Sequence, residues 1–377
     1  MGLLTSDLRR FYLSIGLWHF GLALISLFVP AYLYFELRFS ILQVLLFFLL
    51  QETLTILLIP ISGNFISKFG TRRAMLLAVP FSLLTYFFIP LAASYPYLFA
   101  AAFFRACFAS FYYLSFHVYL GTRSISGKTG EATGKAWSIA RLALLTAPLV
   151  GGLLLQFVGY AAAFALLVLF QFLSVWTLPK EGARQVFSKP VLSTATKAEL
   201  LAWSSQGMTI EGNSFVWPLY AFILLGSYAS LGALSFAAGL FVALFSLWLG
   251  GSTDKFGQGR MLPFGYGLAS ISWFFRSVVG GFLGVFGGNF LGEAAFVGME
   301  APIMSKIYSE TKSGGNLLGK VMVREIALRL GAFPLILLLA FLSFQTVFAL
   351  MGAFYLLLAL SGVVRKPEVG MNGGAAK

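Results

Sequence analysis

Ionisable side chains stand inside long apolar runs of this 377-residue sequence. If those runs cross a lipid bilayer, each buried charge costs roughly 2.5–3.5 kcal/mol on insertion scales. Such a group is tolerated where it faces a cavity, pairs with an opposite charge or becomes neutral, so it marks a substrate or proton pathway. The residues concerned are His19, Glu52, Arg105, His117, Arg141, Glu211, Arg276, Glu293, Glu300, Arg324, Glu325 and Arg329.

Glu211 and Glu293 are our first choices for proton-coupling groups, because no residue nearby in their own helices neutralises them. Glu211 stands in the stretch GMTIEGNSF, where Gly207 and Gly212 predict a locally loosened helix. Asn213 adds a polar group there. We therefore predict that Glu211 carries a proton and that Asn213 binds substrate.

Two helical faces are predicted to line a common cavity. Glu293 and Glu300 are two turns apart and Asn289 lies one turn before them, so the three share one face. Arg105 and Tyr112 share a face by the same spacing. We predict that Arg105 and Glu293 form an ion pair that changes during a functional cycle, with Glu300 in the cavity and with Tyr112 and Asn289 binding substrate.

The aromatic and charged residues nearer the ends of the runs leave alternatives open. Trp18 and His19 form either a substrate wall with a proton site or a part of the core. Glu52 and Arg141 form either a structural pair or a gating pair between bundles.

Four further groups favour structural roles. Glu325 and Arg329, at positions i and i+4, favour a helix-surface pair. Arg276 is expected to extend to the headgroups. His117 is expected to be an interfacial hydrogen-bonding group.

The composition indicates that lipid is the solvent of these runs. The chain is 59% hydrophobic and 10% charged, whereas a soluble domain carries about a quarter charged residues. The formal net charge of +13 raises the possibility of nucleic-acid binding, which the scattered placement of the basic residues argues against. The single cysteine, Cys107, excludes an intrachain disulfide.

A window of roughly 20 apolar residues predicts an all-α integral membrane protein with twelve transmembrane helices. Two six-helix bundles, 1–178 and 199–366, are predicted to flank a cytoplasmic linker at 179–198, and 367–377 forms a disordered tail. The predicted spans are 11–35, 40–62, 72–93, 96–120, 136–157, 159–178, 199–225, 229–250, 261–280, 281–304, 320–341 and 343–364.

Basic residues predict the orientation of these helices. Twenty of the 26 lysines and arginines fall on the side of the N-terminus, Arg38 alone on the opposite side, and the other five within spans. Cytoplasmic loops carry the excess of basic residues. We therefore predict that both termini are cytoplasmic and that the protein lies in the plasma membrane.

The two halves repeat each other at an offset of 184–189 residues, which predicts two bundles related by an axis along the membrane normal. The phrases GNFISKFGTRR and GGSTDKFGQGR are two copies of one motif in the turn after the second helix of each half. The matching pairs include Pro30 with Pro218, Gly63 with Gly250, Arg105 with Glu293, Tyr119 with Tyr308, and Pro148 with Pro334.

Here the chain resembles the major facilitator superfamily of secondary transporters, over its whole length. The family's loop motif is Gly-x-x-x-Asp-(Arg/Lys)-x-Gly-x-(Arg/Lys)-(Arg/Lys), and the first copy has Ser67 in place of the acid. The first copy keeps Gly63, Lys68, Gly70, Arg72 and Arg73, and the second keeps Gly250, Asp254, Lys255, Gly257 and Arg260.

Two finer features are similar to proton-coupled members of that family. Arg105 stands where the family often has a membrane-embedded arginine in the fourth span. The fifth span reads APLVGG, with Pro148, Gly151 and Gly152, and is similar to a motif of the drug–proton antiporters.

The resemblance implies a secondary transporter that works by alternating access. We expect proton-coupled efflux of lipophilic or cationic compounds, by a monomer that binds no metal, cofactor or nucleic acid. Uptake or uniport of a polar or anionic solute, through Arg105 and Arg141, is the alternative. A non-transporting scaffold or sensor is another. The stretch GTRSISGKT has the wrong spacing for a phosphate-binding loop, and no catalytic set predicts an enzyme.

Overall fold

The computed structural model describes residues 6–123, 145–180, 191–256, 258–312 and 316–361. Within these ranges, the side chains of 6–8, 243–260, 301, 305 and 308–312 are not described. The described chain consists of helices joined by short connections, and no strand occurs in it. The all-α prediction is therefore confirmed for the described residues.

The first half of the chain contains seven helices. The first two are separated by a single 3-10 turn, Ser26–Phe28, so together they correspond to one predicted span. Ser40 begins the third helix, because its hydroxyl accepts from the Gln43 amide while the Gln43 side chain accepts from the Ser40 amide. The helices are α1 Ser6–Ala23, α2 Val29–Phe35, α3 Ile41–Phe69, α4 Thr71–Phe88, α5 Tyr95–Arg123, α6 Leu145–Phe157 and α7 Tyr160–Thr177.

The second half also contains seven helices. Thr196 caps the first of them with Glu199 in the same reciprocal arrangement. A π-helical segment, Gly212–Val216, separates the first two, which again correspond to one predicted span. The helices are α8 Lys197–Glu211, α9 Trp217–Leu225, α10 Tyr228–Phe256, α11 Gln258–Val278, α12 Gly281–Lys312, α13 Leu317–Leu339 and α14 Phe344–Leu360.

Six segments of the described chain are long and apolar enough to cross a membrane, which makes this a multi-pass membrane protein; the count of twelve spans remains a prediction. Helix α13, with Lys320, Arg324, Glu325 and Arg329, illustrates why some predicted spans are not among them: too many charges interrupt it. The six segments are Arg9–Phe35, Ile41–Phe69, Thr71–Leu91, Tyr95–Thr122, Tyr160–Thr177 and Gly281–Met304.

Glycines let several helices pack backbone to backbone. A Cβ built on Gly207 would lie 1.9 Å from the Leu328 carbonyl oxygen, and one on Gly331 would lie 1.9 Å from that of Ser204. These two positions bring α8 and α13 into close contact. Across the two halves, a Cβ on Gly232 would lie 2.2 Å from the Pro148 carbonyl oxygen and 3.3 Å from the Gly152 Cα. Only glycine permits this approach of α6 to α10.

The repeated loop motif lies mostly inside helices. Helix α3 continues to Phe69, so Gly63 is a helical residue, and its Cβ would lie 2.6 Å from the Met322 sulfur of α13. The turn itself is made at Gly70, which has a φ of 87°. The expectation that the whole motif forms a turn is therefore wrong for Gly63. In the second copy α10 continues to Phe256 and the motif's side chains lie outside the description.

Candidate functional site

A cavity of about 300 Å³ lies between the two halves of the chain. Helices α1, α4, α5 and α6 of the first half line it, together with the π segment and α9–α12 of the second half. Because both halves contribute walls, a change in their relative position would change access to the cavity. The polar and charged residues in the lining are His19, Ser26, Tyr86, Arg105, Tyr113, Asn213, Ser214, Trp217, Ser235, Arg276, Asn289 and Glu293.

Arg105 is the charged residue on the α5 wall. Its Nε donates to the Gln51 Oε1, and its Nη1 lies 3.4 Å from the Tyr86 hydroxyl. The guanidinium carbon lies 5.7 Å from the centre of the Phe48 ring. Among the described residues no carboxylate lies within 4.0 Å of Arg105, so the predicted ion pair with Glu293 does not form in this conformation. Both residues nevertheless line the same cavity.

Arg276 is buried in the opposite wall. It is 1% exposed, and its guanidinium carbon lies 4.5 Å from the Trp217 ring centre and 4.7 Å from that of Trp273. Its Nη1 donates to the Asn213 Oδ1 at 2.8 Å, and its Nε and Nη2 donate to the Gly288 carbonyl. The expectation that Arg276 extends to the lipid headgroups is wrong, because the two indole rings and these acceptors together replace its hydration.

Glu293 and Asn289 stand on the α12 wall. Glu293 is exposed and lines the cavity. Asn289 accepts from the Trp217 indole N–H at 2.5 Å, and its amide lies 3.4 Å from the Ser235 hydroxyl. The shared face predicted for Asn289 and Glu293 therefore does meet the cavity.

A buried ion cluster joins the halves between α3, α8 and α13. The Arg329 Nη1 lies 3.3 Å from the Glu52 Oε2 and 3.0 Å from the Glu211 Oε1, and its Nη2 lies 3.5 Å from the Glu325 Oε2. Glu52 is 0% exposed, and Gln51 donates to it at 2.6 Å. The prediction of a helix-surface pair for Glu325 and Arg329 is wrong, because α13 packs its charged face against α3 and α8.

A second ion cluster adjoins the first along α13. Arg324 lies 2.9 Å from Glu325 and 3.2 Å from Glu300, and it donates to the Gln206 side chain at 3.2 Å. His117 of α5 lies 3.4 Å from Arg324. Glu300 therefore belongs to this cluster, with Gln206 as its hydrogen-bond donor, and it does not line the cavity with Glu293.

The remaining predicted site residues are distributed as follows. Trp18 and Tyr112 stack in parallel at 4.1 Å, and both are buried away from the main cavity, so the aromatic substrate wall is not formed by them. His19 does line the cavity, with its Nδ1 2.9 Å from the Ile15 carbonyl oxygen. Glu52 pairs with Arg329, and its predicted partner Arg141 lies outside the described residues.

The region around Glu211 departs from regular α-helix as predicted. The departure is the π segment that begins at Gly212, which places Asn213 and Ser214 in the cavity wall. Gly207 lies in regular helix and serves packing instead. The Ser214 hydroxyl donates to the Glu211 carboxylate at 2.9 Å.

The motif predicted in the fifth span serves cavity and contacts together. Pro148 lines the cavity. A Cβ on Gly151 would lie 2.1 Å from the Leu24 carbonyl oxygen, and one on Gly152 would lie 2.5 Å from that of Tyr228. Gly151 thus packs α6 on the end of α1, and Gly152 packs it on the second half.

Sequence reasoning missed the uncharged polar partners. Gln51 connects Arg105 to Glu52, Gln206 connects Glu300 to Arg324, and Tyr86 hydrogen-bonds Arg105. A glutamine in an apolar run carries the same desolvation signal as a charge, only smaller. That signal was present at Gln51 and Gln206.

No family model matches the sequence, and no curated protein matches it. Two similar solved structures are transporters. The human organic anion transporter MFSD10 (TETRAN) matches with a TM-score of 0.69 and 12% identity, covering 95% of this chain and 99% of that chain. The peptide transporter POT matches with a TM-score of 0.71 and 13% identity, covering 96% and 95%. At these identities the likeness shows the fold alone: the chain has the fold of major facilitator superfamily transporters.

Proposed function

We propose that the chain is a secondary transporter that moves a small solute across a membrane by alternating access. The observation that carries this proposal is the 300 Å³ cavity with charged and polar walls from both halves. Polar side chains in a bilayer are tolerated where they line such a cavity. The likeness to two transporters of known structure supports the same reading. The two bundles proposed to move are 1–178 and 199–366, joined by the linker 179–198.

Two seams between the halves would open in turn. We call the first the distal seam; it joins the ends of α2 and α6 to α9 and α10. There Tyr228 donates to Glu36 at 3.3 Å, and Gln156 accepts from the Tyr228 amide at 3.1 Å. We call the second the basal seam; it is the ion cluster of Glu52 and Arg329 with the Gly63–Met322 contact. By the placement of basic residues, the basal seam faces the cytoplasm of a plasma-membrane protein.

Proton coupling is supported by the charge balance of the basal seam. Within 4.0 Å, in the described part of the chain, Glu52 and Glu211 share the single cation Arg329. Two carboxylates in one buried site do not both ionise at low cost, so the pair favours holding a proton. Glu293, exposed to the cavity, is the second acid where a proton and a solute would compete. Such competition gives antiport, and the sequence features of the fifth span favour efflux of lipophilic or cationic solutes.

One observation favours the alternative of an anionic solute. Arg105 lines the cavity without a carboxylate within 4.0 Å in the described residues, so it offers a positive charge to a solute. The titles of the two similar structures name an organic anion and a peptide as cargo of those proteins. A non-transporting scaffold would have no use for this charge-lined cavity.

The proposal predicts that Glu211→Gln and Glu293→Gln uncouple transport from the proton gradient. The purified protein is reconstituted in liposomes, and a solute panel is screened for uptake with and without an imposed pH gradient. We expect each variant to keep exchange of solute across the membrane but to lose accumulation driven by the gradient. Arg38→Gln, at an exposed connection outside the cavity, is the control and should behave as the wild type. Unchanged pH dependence in both variants rejects coupling through these acids, and absence of any flux across a broad panel rejects transport.

A further inference from the structure

The cavity presents opposite charges from opposite walls. Arg105 belongs to α5 in the first half and Glu293 to α12 in the second, and both line the same cavity. They are equivalent positions of the internal repeat, so the pseudo-symmetry that relates the halves places a cation and an acid across the cavity from each other. This arrangement has a consequence for the solute, which rests on the function proposed above.

The cationic wall has spare hydrogen-bond capacity. A guanidinium has five N–H donors, and the described neighbours of Arg105 take one from Nε, for Gln51, and one from Nη1, for Tyr86. The remaining donors lie on the two terminal nitrogens, which is the edge that binds a carboxylate with two parallel hydrogen bonds. The side chain is partly exposed, so this edge is accessible from the cavity.

The acidic wall is arranged differently. Arg276 is committed to the Gly288 carbonyl and the Asn213 side chain, and it is enclosed by two indole rings, so it fixes the wall instead of meeting the solute. Glu293 is the exposed charged group on this side. A carboxylate in such a position accepts from a cationic group such as an ammonium.

The size and the remaining lining restrict what can bridge the two walls. At about 30 Å³ per water molecule, the cavity holds roughly ten waters, so one small solute would touch both walls. Phe108, Leu231 and Trp217 supply apolar surface between the charges.

We propose that the solute is a small zwitterion with an apolar or aromatic body. Its anionic group binds Arg105 and its ammonium group binds Glu293. This class differs from both the simple cation and the simple anion, because each of those would leave one wall charge without its counterpart.

Three probes that share an aromatic body separate these classes: phenylalanine carries both charges, phenethylamine only the positive one, and 3-phenylpropanoate only the negative one. Binding to the purified full-length protein is measured by calorimetry at pH 7. A hydrogen bond to a charged group changes affinity by about tenfold to a hundredfold, so phenylalanine should bind at least about tenfold more tightly than either analogue. Arg105→Gln should abolish its advantage over phenethylamine, and Glu293→Gln its advantage over 3-phenylpropanoate. Arg38→Gln should change neither ratio.

Equal or tighter binding of a single-charge analogue overturns the proposal, and so does a wild-type protein that binds none of the three. Failure of the transporter proposal itself is distinguished by thiol labelling. Cys107 is the only cysteine, so Cys107→Ala with Ser235→Cys carries one thiol in the cavity lining. Labelling of this thiol from both faces of the liposome, without a preference for phenylalanine, retains the transporter and rejects the zwitterion. Labelling from one face only rejects alternating access.

Discussion

At the scale of single residues, the central feature is Arg329, one guanidinium that three carboxyl groups contact. Arg329 is 8% exposed, and Glu52 and Glu211 have it as their cation within 4.0 Å in the described chain. Removing one member of a buried ion pair leaves the partner charged and desolvated, which costs about 3–5 kcal/mol. The arginine thus matters more for what it prevents than for the attraction it supplies.

Arg329→Met should therefore lower the free energy of unfolding by about 3–5 kcal/mol, measured by thermal and denaturant unfolding in detergent. Adding Glu52→Gln should recover part of the loss, because one of the orphaned acids is then neutral. The matched control is Lys306→Met, which breaks the 3.9 Å pair of a 43% exposed lysine with Glu199. An exposed pair contributes about 0–1 kcal/mol. Equal losses in Arg329→Met and Lys306→Met would contradict the role given to Arg329.

At the scale of helices, close contacts are set by glycines whose side of the helix cannot be read from one sequence. Gly292 of α12 is one: a Cβ there would lie 1.9 Å from the Arg276 Nη2. Gly292→Ala should displace the guanidinium from between Trp217 and Trp273, lower the unfolding midpoint and reduce solute flux. Gly267→Ala of α11 is the control, since nothing lies within 4 Å of its Cβ. It should be neutral or stabilising by up to about 1 kcal/mol. The same response in both variants would show that the guanidinium does not depend on Gly292.

The elements were predictable because each depends on local signals, whereas the site depends on which faces meet. Apolar runs and capping residues such as Ser40 and Thr196 predict where helices lie. The sequence also predicted that Glu211 adjoins a loosened helix and that Arg105, Asn289 and Glu293 reach a cavity. It could not predict that Glu325 turns inward or that Arg276 is enclosed by rings, since both outcomes depend on residues far away along the chain.

At the scale of the whole molecule, the two seams should be mutually exclusive if the cavity opens to alternate sides. Both seams carry contacts in this conformation, through Tyr228 with Glu36 at the distal end and Glu52 with Arg329 at the basal end. A helix contact that admits no Cβ cannot form once a large side chain is placed there. Such a substitution therefore selects the state in which that seam is open.

Gly232→Leu tests this at the distal seam, because its Cβ would lie 2.2 Å from the Pro148 carbonyl oxygen in the closed arrangement. In the Cys107→Ala, Ser235→Cys background, we expect the cavity thiol to be labelled faster from the distal face and more slowly from the basal face. Solute flux should fall severalfold while the protein remains folded, because alternation needs both states to be populated. Gly267→Leu adds the same side chain where a Cβ meets nothing within 4 Å and should leave both labelling rates as they are. If Gly232→Leu raises or lowers labelling equally from both faces, the halves do not move as alternating bodies, and the coupling between the two seams is wrong.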